Sequence, residues 1–302
     1  MRRGWCLLGV LAVVAAACGG GEDADSIAGP GGSASTTVAG APEPGSSPTT
    51  AGTAPGGGSP SPSSGGSSPG SVGAGGTPPA TPPADAVIGV GSTGVGGVAA
   101  ALLRSGRGDR VVLEVRAQPG MAPEPATIDH LVRVLRDASG KAVAVDGVDP
   151  LPDGERAWTA REIVQAAASS AQVESGRSQV VLRLLFLQGT YEGDAGVLGV
   201  AVAGDVAAVF SDQVDASAGV LVSPTVVEDA VAMHEVGHLL GLVDLLLGTG
   251  RGDPAHPGHS RNRRSVMYWQ VDSGFITQLL DGGIPTDFDA DDRAELAQIR
   301  AG

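Results

Sequence analysis

Arg110-Val111-Val112-Leu113-Glu114-Val115-Arg116 is β-rich and alternates apolar with polar from Leu113 to Arg116, a pattern that predicts a strand. Ile128, Leu131, Val132 and Leu135 recur at helical spacing and predict a helix over 126–138. A short strand over 142–145 follows. Thr159, with Glu162 three residues on, carries the reciprocal capping signature of a helix reaching to about 172. The apolar run 180–187 predicts a strong strand. Two more are expected over 197–202 and 206–210, separated by Ala203-Gly204-Asp205. Pro224 and Thr225 open a helix whose apolar run extends from Val226-Val227 through Val231 to Leu239-Leu240. A closing helix is expected over 287–300, with Asp289, Asp291 and Asp292 at its positive end. The order is strand, helix, strand, helix, three strands, helix, loop, helix. It predicts an α/β (α+β) domain with a mixed twisted sheet, then a smaller C-terminal half of helix and loop. Gly and Ala dominate 85–107, where the pattern defines no element.

The first residues do not belong to that domain. Arg2 and Arg3, the apolar stretch 7–14 and small Ala15-Ala16-Ala17 read as an export signal over 1–17. The apolar stretch is short for a membrane span. Small residues ending in Cys18, then Gly19-Gly20-Gly21, resemble a lipoprotein lipobox. That resemblance implies cleavage before Cys18 and lipidation of its thiol; the alternative is a plain secretory signal. Residues 18–84 are almost entirely Gly, Ser, Pro, Thr and Ala, too poor in apolar side chains to offset ordering entropy. They are expected to be a disordered linker that holds the domain, 85–302, away from a cell membrane on its extracytoplasmic side.

Charge and cysteine usage narrow the function. The chain carries a formal net charge of −14, and loss of Arg2 and Arg3 makes it about two units more acidic. Such a chain is a poor partner for nucleic acid. The two cysteines are Cys6 and Cys18, so no disulfide forms within 85–302 and no thiol there can block a metal. A monomer is expected.

The chemistry concentrates in His234-Glu235-Val236-Gly237-His238-Leu239-Leu240-Gly241. Histidines four apart share one face of a helix and can hold one Zn²⁺, with the intervening glutamate beside the open position. Glu235 is then the candidate general base. Gly241 can end the helix in a left-handed turn and return the chain to the metal. His259 and then Ser265-Val266-Met267-Tyr268 follow. Here the sequence resembles the metzincin clan of zinc proteases and, within it, the matrixins, over about residues 180–300. The resemblance implies a peptidase acting on protein or peptide substrates, three protein ligands to the metal, and a methionine turn at Met267 beneath it. It also implies that Val197, Leu198, Gly199, Val200 and Ala201 form an edge strand that pairs with substrate. A plain buried strand is the alternative there. Asp205, Asp212 and Asp215 become candidates for a structural Ca²⁺, against simple solvation.

The chain departs from the family pattern at the third ligand, where Asp244 stands three residues after Gly241. Either Asp244 binds the metal, or 245–258 is an insertion and a later histidine does. The insertion is favoured: His259-Ser260, four residues, then Ser265-Val266-Met267-Tyr268 keeps the matrixin register, and Gly248, Gly250, Gly252 and Pro254 suit a looped-out segment. His256 is the third candidate. Trp269 stands where some metzincins carry a tyrosine that assists the reaction, so Tyr268 is assigned packing or the lining of a specificity pocket. His130 reads as a solvated or satisfied core group. Arg261, Arg263 and Arg264 read as a solvated face. Two other functions remain compatible with these residues: a non-catalytic surface module on the same scaffold, and a zinc amidase acting on cell-wall peptides.

Overall fold

The computed structural model describes residues 87–106, 108–218, 222–269 and 283–302. The expected export signal, Cys18 and linker lie outside them. Among the described residues, no helix is long and apolar enough to cross a membrane.

A five-stranded sheet organises the domain, in the order β2 (Ala142–Pro150), β1 (Arg110–Ala117), β4 (Gln179–Leu187), β7 (Val206–Phe210), β6 (Gly199–Ala203). The first four strands are parallel, and β6 joins antiparallel to β7. Crossovers pass through α2 (Pro125–Ser139) and α3 (Ala160–Ser170), as parallel pairing requires. The mixed sheet of an α/β domain is thus present. Helices cover both faces. On one, α2, α5 (Pro224–Leu239) and α6 (Ala290–Ala301) bury Leu131, Leu135, Val227, Val231 and Leu296 against Leu113, Leu182, Leu184 and Val209. On the other, Ile163 and Ala167 of α3 pack on Leu185, Leu187, Ala208 and Phe210. Strands buried on both faces explain the near-continuous apolar runs.

Local signals account for the boundaries. The Thr159–Glu162 capping box forms as the spacing predicts. The helix expected from 287 starts only at Ala290, because Asp289 caps it: its side chain accepts the Asp292 N–H at 2.9 Å, and the Asp292 carboxylate accepts the Asp289 N–H at 3.1 Å. The strand expected from 197 starts only at Gly199, because the Asp194 side chain accepts the Gly196 N–H at 2.9 Å and its carbonyl the Val197 N–H at 3.3 Å, closing a turn. The strand expected over 142–145 extends to Pro150, paired with β1 across a bulge at Glu114/Val115.

Several elements had no prediction. They are α1 (Ala99–Leu103), α4 (Ser211–Ser217), a two-stranded pair of β3 (Arg156–Trp158) with β5 (Gly189–Tyr191), and an antiparallel hairpin of β8 (Gly252–Asp253) with β9 (His256–Ser260). The expected insertion is therefore partly built as a hairpin, and His259 sits on its second strand.

Candidate metal centre

Helix α5 is buried along almost its whole length, including every residue from Ala230 to Leu239, so it is enclosed on all sides rather than on one face. Ser223 caps it, accepting the Val226 N–H at 3.3 Å, and Pro224 occupies its first turn. It ends as expected at Gly241, at φ 78°, with the Gly241 N–H on the His238 carbonyl at 3.1 Å and the Leu242 N–H on the Gly237 carbonyl at 3.1 Å. The helix lies across β6 and β7. It therefore brings His234, Glu235 and His238 to the edge of the sheet.

His234, His238 and His259 converge. One ring nitrogen from each lies within 4.8 Å of the others, and this is the only such group of three candidate ligands among the described residues. Their ring centroids are 4.7, 5.0 and 5.1 Å apart. His234 Nδ1 stands 2.7 Å from the Val266 carbonyl, to which it donates, leaving Nε2 to accept a metal. His234 Nε2 and His238 Nε2 are 3.0 Å apart. Two tetrahedral zinc–nitrogen bonds of about 2.0–2.1 Å place their nitrogens roughly 3.3 Å apart, so the donor set fits Zn²⁺.

Glycines hold the surrounding parts in contact. A Cβ on Gly237 would stand 2.2 Å from Met267 Sδ, so Met267 packs directly on the helix between the two histidines. A Cβ on Gly199 would stand 2.7 Å from both Glu235 Oε1 and Val231 Cγ1. Gly199 opens β6, the last strand of the sheet, so the strand meets Glu235 without a side chain between them. Val200 and Ala201 continue the strand half-buried, while Val197 and Leu198 precede it.

The other sequence candidates are elsewhere engaged. Asp244 turns into its own loop: Oδ1 accepts the N–H groups of Thr249 at 2.6 Å and Gly250 at 2.9 Å and the Thr249 hydroxyl at 2.6 Å, and Oδ2 accepts the Gly252 N–H at 2.9 Å. Burial alone would raise this carboxyl, but those bonds outweigh it and hold it below the usual value. His256 pairs with Asp253 at 2.9 Å and stacks on Trp269 with ring centroids 4.2 Å apart. His130 lies between two carboxylates, 2.8 Å from Asp229 and 3.1 Å from Asp287. Tyr268 is buried, and Arg261, Arg263 and Arg264 are exposed on the segment joining His259 to Met267.

The candidate calcium ligands do not come together, which corrects that expectation. Asp205 is buried against Arg183 at 2.7 Å and accepts the Gly91 N–H at 2.9 Å. Asp212 accepts the Gly189 N–H at 3.1 Å, and Asp215 is exposed.

No family model and no curated protein matches this chain. Among solved structures it is similar to an archaemetzincin from Methanopyrus kandleri, with 20% identity, a TM-score of 0.44, and coverage of 64% of this chain and 97% of that one. An archaemetzincin from Archaeoglobus fulgidus, complexed with malonate, gives 16% identity, a TM-score of 0.37 and coverage of 61% and 99%. A zinc-dependent peptidase from Methanocorpusculum labreanum gives 16% identity, a TM-score of 0.39 and the same coverage of 61% and 99%.

Proposed function

We propose that the chain is a zinc-dependent metalloendopeptidase of metzincin type, with His234, His238 and His259 as the metal ligands and Glu235 as the general base. One observation carries this reading: three imidazoles from two distant segments meet within 4.8 Å, with a buried carboxylate on the same helix. When bound, Zn²⁺ supplies a Lewis acid that polarises the scissile carbonyl and acidifies the attacking water. Glu235 takes a proton from that water and returns it to the leaving amine. Met267 floors the site. An extended peptide adds to β6 as a further antiparallel strand, held by main-chain hydrogen bonds, with Gly199 letting it lie close to Glu235. We further propose the setting expected from the sequence: a monomer tethered by lipidated Cys18 and its linker to the extracytoplasmic face of a cell membrane.

The test is cleavage of casein by the protein, by Glu235→Gln and by chelator-treated protein, alongside metal analysis. Parent protein cleaves and binds about one zinc; Glu235→Gln keeps zinc and loses at least about 100-fold in rate, the usual worth of a general base. His259→Ala loses zinc, whereas His256→Ala keeps it. Equal cleavage in all three samples removes the enzyme reading. Cleavage of cell-wall peptides but not casein makes the protein an amidase. Stoichiometric zinc with neither activity makes it a binding module.

A further inference from the structure

Between the turn at Gly241 and Met267 the chain makes a long excursion that carries His259. Both ends of that excursion close on two carboxylates of α6. Glu295 accepts the Val243 N–H at 3.1 Å and the Asp244 N–H at 3.2 Å, and takes Arg251 Nε at 2.7 Å. Asp292 takes Arg251 Nη2 at 2.6 Å through Oδ1; through Oδ2 it accepts from the Ser265 hydroxyl at 3.1 Å. Ser265 Oγ in turn accepts the Met267 N–H at 3.0 Å. Residues 292 and 295 are three apart and share a helix face. Three points of the chain, 243–244, 251 and 265, are thus gathered at one turn of α6, and His259 lies on the span between the last two.

The backbone is bent to make this junction. Among the described residues, Val243 and Asp244 are the non-glycine ones at positive φ, 56° and 65°, a region that β-branched side chains avoid. In this conformation two successive N–H groups face the same carboxylate, as in a backbone anion nest. The charges are dry. The Asp292 and Glu295 side chains are 0% and 1% exposed, and the Arg251 side chain 18%. A guanidinium's planar fork can bond two carboxylates at once, which an ammonium does less well.

We infer that Arg251 is a positioning residue for the third metal ligand: its bonds to Asp292 and Glu295 close the base of the excursion and keep His259 within reach of His234 and His238. The inference rests on the metal reading above. Arg251 acts through the chain, since its guanidinium is engaged with the α6 carboxylates.

The experiment compares the protein with Arg251→Gln and Arg251→Lys. Truncating the arginine leaves two buried carboxylates facing one another, so Arg251→Gln combined with Glu295→Gln is included to keep a folded variant in hand. Zinc affinity is read by competition with a chelator. Coordination is read from the visible bands of the Co²⁺-loaded protein. The hairpin is read by amide hydrogen exchange over 252–260 in metal-free protein. Zinc binding should weaken about 10–100-fold in Arg251→Gln and in the double variant, the range for loss of a group that orients a ligand. Arg251→Lys should recover part of it. The Co²⁺ bands should weaken as His259 leaves, and the hairpin amides should exchange faster. Parent-like zinc affinity and Co²⁺ bands in a folded Arg251→Gln or double variant overturn the inference. A parent protein that takes up no metal overturns the metal reading and the inference with it; unchanged hairpin exchange in Arg251→Gln of a metal-binding protein overturns the clasp alone.

Discussion

At Gly199 the missing side chain has a chemical consequence. A methyl group there would stand 2.7 Å from Glu235 Oε1 and from Val231 Cγ1, and neither neighbour is a loose surface group, since both are buried on α5. With Glu235 as the proposed base, Gly199→Ala should displace the carboxylate and lower kcat/KM by about 100-fold, the cost of misplacing such a group by roughly an ångström. Its zinc content should equal the parent's; a variant of parental activity would show that Glu235 has room to spare. The histidine face of α5 was legible in the sequence, because a spacing of four on a helix is a fixed geometry. The tight approaches at Gly199 and Gly237 were not. They are contacts between elements far apart in the chain, and a lone glycine carries no sign of what lies opposite it.

At the scale of elements, the excursion after Gly241 separates what was legible from what was not. Its Gly and Pro content marked it as an insertion, and the spacing from His259 to Met267 pointed to the histidine that lies beside His234 and His238. The role of Asp244 was not legible. It stands where the metzincin pattern carries its third ligand, yet its carboxylate ties Thr249, Gly250 and Gly252 together. The hairpin of β8 and β9 was missed because its strands are short and carry no alternating apolar residues. Helix α1 was missed because glycines surround its five residues. Asp244 makes the loop sensitive to acid in a definite direction. Its folded-state pKa is depressed, so its stabilisation of the loop is complete above the unfolded-state value of 3.8 and is lost as the pH falls through the lower folded value. Hydrogen exchange of the Thr249, Gly250 and Gly252 amides should stay protected down to about pH 4 and fail only below it. Loss of protection already near neutral pH would show that the carboxylate does not hold them.

Across the whole molecule, a buried charge cluster ties the sheet to the start of the domain. Glu114, Arg116, Arg183 and Asp205 are each at most 1% exposed. Arg183 bonds Glu114 at 2.8 Å and Asp205 at 2.7 Å, and Arg116 bonds Glu114 at 2.5 Å. Asp205 also holds the Gly91 N–H, and the Gly204 N–H bonds the Thr93 carbonyl at 2.9 Å. Asp205→Asn should cost about 3–5 kcal/mol of stability by leaving Arg183 under-compensated. Chemical denaturation would measure it, and the zinc content of the folded variant should be unchanged; a loss below about 1 kcal/mol would mean that water reaches the arginine. The alternation along β1 set Glu114 and Arg116 on one face but gave no sign that the face was covered, since only the packing of α3 and the N-terminal segment decides that. The junction at α6 has an outcome of another kind. Because the hairpin is fastened where it leaves the body of the protein, its outer turn at Pro254 and Ala255, both exposed, is free to drift over generations or to accept a grafted epitope, while the histidine on the neighbouring strand keeps its post.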